Sequence, residues 1–454
     1  MQIAVIGTGY VGLVSGVCFS EYGYRVTCVD KDSSKIALLQ QQILPIYEPG
    51  LDLLLDKNRK AGRISFTTDI AQAVSQAQIV LIAVGTPSNP ADGMPDTSYL
   101  FSAVEEVAKH IRDYTVIIVK STVPIGSNRA VAKRIAQVNP DADFDVVSNP
   151  EFLREGSAID DFMKPDRVVV GVDSKRALEV MQQLYAPVYL GNVPILATTL
   201  ESAEMIKYTA NTMLALRVAF MNEMADICEN VGANIRDVAK GVGMDQRIGE
   251  KFLQAGPGFG GSCFPKDSRA LRQIARNAGH ASRIVEAVVE GNEARKRAMA
   301  EKLIAAAGGS VSGQTIAVLG LTFKPGTDDM RESPSIAIIE RLEEAGASIR
   351  AYDPQGMKEA AKLMPALTYT DSADAAMQDA DALLIITEWN EFRNLDLKKV
   401  KKLLKKPLVV DLRNLYRRQD MQKNGFHYVS VGRQEVIPGQ PWIADLNLGA
   451  ESPG

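Results

Sequence analysis

A chain of 454 residues exceeds what one ordinary hydrophobic core organises, and it predicts two or three domains. Apolar residues at 46% and charged residues at 23% are the proportions of a water-soluble globular protein, and a net charge of −4 with dispersed Lys and Arg offers no nucleic-acid footprint. Four widely separated cysteines and three isolated histidines (His110, His280, His427) argue for a reducing compartment, against a metal site and against a histidine general base.

The first twenty residues carry no charge, as the core of a signal peptide would, but they lack a basic start and are punctuated by Gly7, Gly9, Gly12 and Gly16. No later stretch of about 18 apolar residues is available to span a bilayer. The expectation is a cytoplasmic protein without membrane contact. From residue 1 to about 200, β-rich runs at Ile3–Ile6, Arg25–Val29, Ile79–Val84, Thr115–Val119, Asp145–Val147 and Arg167–Val170 alternate with helical segments. That alternation predicts an α/β fold with a doubly wound parallel sheet and ligand loops at the strand C-termini.

Gly7-Thr8-Gly9-Tyr10-Val11-Gly12 follows the first run and opens a helix, and Asp30 ends the second run. Glycines at this spacing permit a tight turn and close approach of a pyrophosphate, whose charge rests on the helix N-terminus. Asp30 would bond a ribose 2′-hydroxyl and repel a 2′-phosphate, so the expected cofactor is NAD rather than NADP. The bland alternative is a structural turn in a fold that has lost its ligand. Further on, the polar loop Asn149 to Gly156 holds Glu151 and Glu155, which could bind hydroxyls, activate water or simply be surface charge.

Between Glu201 and Gly232 there is neither Gly nor Pro, and apolar residues recur at Ile206, Ala210, Met213, Phe220, Met224, Ile227 and Val231, broken once by Arg217. This predicts a single amphipathic helix about 45 Å long that bridges domains and packs against a second subunit. Lys207 and Asn211 are four apart and share a face, where they could stabilise an oxyanion; on local grounds a solvated face is the simpler reading.

Gly256-Pro257-Gly258-Phe259-Gly260-Gly261-Ser262-Cys263-Phe264-Pro265-Lys266 then sets a thiol at the end of a glycine-rich loop, just before a helical stretch from Asp267 to Ala278. The helix end and Lys266 both favour thiolate over thiol. Cys18, Cys28 and Cys228 lie among apolar residues and read as core, whereas Cys263 reads as a reactive thiol or as part of a purely structural turn.

From about Gln314 the α/β alternation restarts as a repeat. Ile316-Ala317-Val318-Leu319-Gly320 echoes Ile3-Ala4-Val5-Ile6-Gly7, and Tyr352-Asp353 ends a run as Val29-Asp30 does. A helix is expected over Pro334 to Ala345, with strands at Ser348 to Asp353, Ala382–Ile386 and Leu408–Val410. The second copy has Leu321-Thr322-Phe323-Lys324-Pro325 in place of the glycine turn, which predicts a second Rossmann-like domain for a different ligand. The lysine run Lys398 to Lys406 reads as the solvated face of a short helix.

Over nearly its whole length the chain resembles the UDP-glucose/GDP-mannose dehydrogenase family, and within it the group acting on UDP-glucose. The motifs that carry the resemblance are the Cys263 loop, Lys120 to Gly126, Asn149 to Gly156, Glu204 to Tyr208, Asp245 to Gly249, Phe323 to Thr327 and Arg331 to Ser333. The resemblance implies an NAD domain (1–200), a helical dimerisation domain (201–305) and a UDP-sugar domain (306–454), assembled as a homodimer or a dimer of dimers. It makes Cys263 a covalent nucleophile, places Lys207, Asn211 and Asp267 around the reacting carbon, and sets Thr122 and Glu151 near a catalytic water. Cofactor contacts would be Gly7, Gly9, Tyr10, Val11, Gly12, Asp30, Lys35, Thr86, Thr122, Glu155, Lys266 and Arg331. Sugar-nucleotide contacts would be Glu151, Phe152, Leu153, Lys207, Asn211, Phe252, Leu253, Gln254, Ala255, Gly256, Gly260, Lys324 and Arg413, with Arg247 donated by the neighbouring subunit. From about Arg433 no motif is recognised.

The expected activity is four-electron oxidation of UDP-glucose to UDP-glucuronate with two NAD, through a thiohemiacetal and a thioester on Cys263. The same chemistry on GDP-mannose or a UDP-N-acetylhexosamine is the nearest alternative. A non-catalytic sensor of NAD or nucleotide sugars is the alternative of another class.

Overall fold

Short runs of β-branched and aliphatic residues form two sheets in the computed structural model, which describes residues 1–89, 91–189 and 191–440. The segment after Gln440, where no motif was recognised, lies outside the described residues. The chain divides into two units: Met1–Thr212 with Lys266–Ser282, and Met213–Pro265 with the chain from Arg283 onward.

In the first unit, strands β1 (Gln2–Ile6), β2 (Arg25–Val29), β3 (Ile64–Thr67), β4 (Ile79–Ile82), β5 (Thr115–Val119), β6 (Phe144–Ser148), β7 (Val168–Gly171) and β8 (Ile195–Thr198) line up in the order β3-β2-β1-β4-β5-β6-β7-β8. Both faces are covered. Ile3 and Val5 belong to one hydrophobic cluster, while Ala4 and Ile6, pointing the other way, belong to a second. The expected all-parallel sheet needs one amendment, because β6 and β7 pair antiparallel through Ser148 and Gly171. The connection between them, residues 149–167, contains the short helix Ala158–Met163.

The second unit repeats the plan. Strands β9 (Thr315–Leu319), β10 (Ser348–Tyr352), β11 (Thr368–Tyr369), β12 (Ala382–Ile385), β13 (Leu408–Asp411) and β14 (His427–Ser430) are all parallel, in the order β11-β10-β9-β12-β13-β14. In each sheet the order reverses beside the first strand, at β1/β4 and β9/β12. A ligand crevice is expected there in open α/β sheets.

The sequence anticipates one unbroken helix over 201–232, and the helix runs Leu200–Val231. The helix after Cys263 begins at Phe264 rather than Asp267, so Cys263 is the residue directly before its first turn. The lysine run forms the short helix Leu397–Leu403, with Val400 buried and Asp396 capping its first N–H groups.

Candidate active site

The dinucleotide turn sits at the β1/β4 reversal, and each of its glycines meets a different demand. Gly7 has φ +99° and would drive a Cβ to 2.7 Å from the Ala83 carbonyl oxygen. A Cβ on Gly12 would lie 1.9 Å from the Gly7 carbonyl oxygen, so only glycine lets the helix Tyr10–Glu21 close on the strand. Around Gly9 nothing lies within 4 Å of a built Cβ, which leaves the approach to the helix N-terminus open. A cavity of about 500 Å³ opens here, lined by Gly7, Gly9, Asp30, Lys35 and Tyr99 among others.

Asp30 accepts the Thr8 N–H at 2.8 Å, the Thr8 hydroxyl at 2.7 Å and the Asp32 N–H at 3.0 Å. Burial works to raise its carboxyl, but these donors and Lys35 outweigh it and hold the group below the usual carboxylate range. An ionised, half-buried carboxylate on the cavity wall suits a ribose diol. Thr86 and Thr122 lie together beyond β4 and β5, the Thr86 hydroxyl donating to the Thr122 carbonyl at 2.9 Å. Glu155 is near enough to Tyr10 for its charge to act on the Tyr10 hydroxyl.

A second cluster of the first unit overturns the solvated-face reading of the long helix. Lys207 and Asn211 are buried, and so are Glu151 and Asp267. The Lys207 ammonium donates to Glu151 Oε1 at 2.9 Å and to the Glu151 carbonyl at 2.7 Å, while the Leu153 N–H binds Glu151 Oε2 at 2.6 Å. One turn on, Asn211 Nδ2 donates to Asp267 Oδ2 at 2.6 Å, and Lys266 binds the other oxygen at 2.7 Å. The Lys266 charge is thus directed at Asp267. Phe152 packs its ring under Lys207 (5.3 Å to the ammonium) and against Arg167 at 3.8 Å.

Burial tends to raise the Glu151 carboxyl; Lys207, the Leu153 N–H and Lys120 reverse this and hold it below the usual range. Lys120 itself is buried at the end of β5, bonded to Asn149 Oδ1 at 3.1 Å and the Tyr185 hydroxyl at 3.4 Å. Burial pushes its ammonium down to about 8, with Glu151 opposing and Lys207 assisting. Tyr185, Asn149 and the charge of Lys120 were not identified as site features from sequence. Lys120 lies inside a quoted motif, but only tertiary burial reveals that its charge faces Glu151.

In the second unit the glycine loop is pinned by side chains. Asn222 accepts the Gly256 N–H at 2.8 Å and Arg295 donates to the Gly256 carbonyl at 3.1 Å. Asn292 binds both the N–H and the carbonyl of Phe259, at 2.8 and 3.0 Å. A Cβ on Gly260 would fall 2.4 Å from the Glu332 carbonyl oxygen, and one on Gly261 would fall 2.8 Å from the Phe323 ring. These glycines are close-approach residues, and the pinned loop fixes the backbone that carries Cys263. The Cys263 sulfur lies 3.4 Å from the Ser262 hydroxyl, at intermediate exposure. The other three cysteines are buried, and burial pushes Cys18 and Cys28 up to about 12, leaving them inert at neutral pH.

The same unit contains a cavity of about 520 Å³ walled by Leu253, Gln254, Ala255 and Arg413, four of the expected sugar-nucleotide residues, together with Arg236, Lys240 and Arg393, which the motifs did not point to. Phe252, at the head of this stretch, has φ +63°, a strained setting for a bulky side chain and one that recurs at binding sites. Arg413 is oriented by the Ile386 and Phe323 carbonyls, and Lys324 lies 5.3 Å over the Phe323 ring. Arg331 and Arg247 are exposed on this unit, bound to Asp329 and Asp245.

Compared with known proteins, residues 1–189 match the NAD binding domain of the UDP-glucose/GDP-mannose dehydrogenase family, residues 201–294 its central domain and residues 317–418 its UDP binding domain. The chain is 54% identical over 437 residues to a UDP-glucose 6-dehydrogenase of Rhizobium meliloti, covering 96% of this chain and 100% of the relative. It is 48% identical to the UDP-glucose 6-dehydrogenase TuaD of Bacillus subtilis, over 97% and 95% of the two chains. Among solved structures, a UDP-glucose dehydrogenase from Pyrobaculum islandicum superposes with a TM-score of 0.87 at 36% identity, over 92% and 95% of the chains. A UDP-D-ManNAc dehydrogenase from Pyrococcus horikoshii superposes with a TM-score of 0.84 at 27% identity, over 96% and 100%.

The fold and these matches define an NAD-dependent dehydrogenase built from two Rossmann-like halves. The chain belongs to the UDP-glucose/GDP-mannose dehydrogenase family.

The buried Lys120 gives a pH test of this cluster. Its folded value of about 8 lies below the ordinary lysine value near 10.4, so between these limits the unfolded chain holds more protons and stability from this group rises with pH. Urea titrations at pH 7.5 and 9.5 should show the wild type gaining on Lys120→Met at the higher pH. Equal differences at both pH values would show that Lys120 does not titrate there.

Proposed function

We infer that the protein oxidises UDP-glucose to UDP-glucuronate, using NAD as hydride acceptor, and that Cys263 carries the sugar covalently between the two oxidations. The observation that carries the reading is end-to-end identity of 54% with a UDP-glucose 6-dehydrogenase, in a chain whose Cys263 stands on a pinned loop at the head of a helix. Gly7, Gly9, Gly12 and Asp30 would hold the cofactor, with Tyr10, Val11, Lys35, Thr86, Glu155, Lys266 and Arg331 as further contacts. The open space at Gly9 and the ionised Asp30 fit a pyrophosphate and a ribose diol. When bound, NAD would supply the hydride acceptor, one molecule for the alcohol carbon and, after its release as NADH, a second molecule for the thiol adduct.

The roles of this chain's residues follow from what the carbon needs. An aldehyde has no hydride to give until something adds to its carbonyl. The Cys263 thiolate adds, forming a C–S bond and an alkoxide that is protonated to the thiohemiacetal. Loss of a hydride and of the hydroxyl proton leaves a thioester. Water then cleaves the C–S bond, returning the thiol and releasing the carboxylate. Lys207 and Asn211 supply N–H donors to the oxyanions. Glu151, held ionised, accepts a proton from the attacking water, with Thr122 orienting it. Asp267 orients Asn211. Phe152, Leu153, the stretch Phe252 to Gly256, Gly260, Lys324 and Arg413 would grip the nucleotide sugar.

Working parts at 1–200, 201–305 and 306–454 are proposed for cofactor, subunit pairing and the UDP portion. A homodimer, alone or doubled, is supported by the long helix, where Met213, Phe220 and Ile227 stand seven residues apart and are 56%, 52% and 47% exposed. Arg217, the break in the apolar pattern, holds the Ile248 and Gly249 carbonyls at 2.8 and 2.7 Å beside the exposed Arg247 proposed to reach the partner. A cytoplasmic location fits this chemistry; no helix among the described residues is long and apolar enough to cross a membrane.

NADH absorbance with a panel of nucleotide sugars tests the reading. UDP-glucose should give two NADH per UDP-glucuronate without free aldehyde, and Cys263→Ser should lose steady acid release while still binding NAD and UDP-glucose. Preference for GDP-mannose or a UDP-N-acetylhexosamine would reassign the sugar, and no turnover with any of them would leave a sensor. Asp30→Ala should weaken NAD and narrow its advantage over NADP; equal use of both cofactors by the wild type would contradict the role given to Asp30.

A further inference from the structure

Glu48 is a buried carboxylate that has no part in the chemistry above. It lies in the loop between the helices Ser33–Gln40 and Leu51–Lys60 and is 5% exposed. No lysine, arginine or histidine among the described residues forms an ion pair with it. Its charge is met by three donors instead. Oε2 accepts the Tyr10 hydroxyl and, at 2.7 Å, the Gly156 N–H; Oε1 accepts the Ala158 N–H at 2.7 Å. Burying a carboxylate without a counter-charge is costly, and only such charge-assisted bonds offset it.

The donors come from two segments far apart in sequence. Tyr10 is the first residue of the helix that follows Gly9, at the dinucleotide turn. Burial and then the bond to Glu48 push its hydroxyl well above the ordinary tyrosine value, so it remains a donor at any working pH. Gly156 and Ala158 close the loop that starts at Glu151, whose carboxylate grips Lys207. Glu155, the residue before Gly156, is itself an expected cofactor contact.

Holding the short helix Ala158–Met163 in place does not require Glu48. Phe162 packs edge-on against Phe19 at 4.9 Å, and its carbonyl accepts the Tyr22 hydroxyl at 3.2 Å, both from the helix Tyr10–Glu21. What Glu48 adds is a rigid link between the mouth of the cofactor site and the Glu151 loop.

We propose that Glu48 is a positioning residue that couples the dinucleotide turn, through Tyr10, to the loop carrying Glu151 and Glu155, so that cofactor binding and the setting of Glu151 depend on one carboxylate. The inference rests on the functional reading above for the role of Glu151, while its cofactor half is measured without turnover.

The test is Glu48→Gln, which keeps the shape and sets an amide N–H₂ against N–H or O–H donors. Losing hydrogen bonds to a charged group should raise the NAD dissociation constant, measured by calorimetry, by about 10-fold or more. Turnover at saturating NAD should fall several-fold as well, and UDP affinity should stay within twofold of wild type. Tyr10→Phe, which deletes one bond and leaves the backbone contacts, should reproduce both losses in smaller measure, and it decides by the same criteria if Glu48→Gln does not fold. NAD affinity within twofold of wild type in the folded variant would overturn the proposal, as would a loss of NAD affinity with unchanged saturated turnover. A wild type with no turnover on any nucleotide sugar would instead refute the functional reading, leaving the NAD measurement to stand or fall by itself.

Discussion

Burial of the Lys207 ammonium against the Glu151 carboxylate is the constraint from which the rest of the first unit's chemistry follows. Two charges this deep persist only when each is paired and its remaining valences are met, and removing one partner of such a pair commonly costs about 3–5 kcal/mol. Glu151 meets the condition with one oxygen on Lys207 and the other on the Leu153 N–H. The pair fixes the start of the long helix against the loop after β6 and so determines which helix face turns inward. Asn211, one turn further, then has no choice but to be buried, and it finds Asp267. A lysine and an amide held by carboxylates, with no slack in their rotamers, form a preorganised pair of donors.

The two Rossmann-like halves show how one plan serves two ligands. Asp30 and Asp353 both end the second strand of their sheets, but their surroundings differ. Asp353 is fully buried and accepts from the N–H groups of Leu321, Thr322, Gln355 and Gly356, the Thr322 hydroxyl and the Trp389 indole. It is part of the turn and has nothing left for a ribose. Asp30 remains half-exposed on a cavity wall. Gly320 repeats the role of Gly7, with φ +90° and a built Cβ 2.5 Å from Thr387, yet the place two residues on, where the first half has the open Gly9, is taken by the buried Thr322. The fold is shared, and the ligand turn is not.

Much of this was legible because it is periodic. The alternation of β-rich runs with helical segments located ten of the fourteen strands among the described residues, and the absence of Gly and Pro over thirty residues located the long helix. The strands that escaped are short or atypical: β3 has four residues, β11 two, β8 is largely exposed and β14 begins with His427. The antiparallel β6–β7 pair rests on the single register Ser148–Gly171, and strand direction is something no periodicity reports. At the site, the glycine turns and Cys263 announced themselves by residue type. Lys207 and Asn211 read locally as a wet surface, because spacing gives a shared face but not what lies against it. Glu48, Lys120 and Asn149 became meaningful only through partners 29 to 110 residues away.

The central claim is that Cys263 carries the sugar between the two oxidations. The most direct measurement is peptide mapping by mass spectrometry after acid quench of the enzyme turning over UDP-glucose with excess NAD. The account predicts a uridine-diphosphate-sugar acyl adduct on the peptide containing Cys263, absent without NAD and removed by hydroxylamine. An adduct at another residue, or an unmodified Cys263 in enzyme quenched while UDP-glucuronate accumulates through a rate-limiting hydrolysis step, would contradict it.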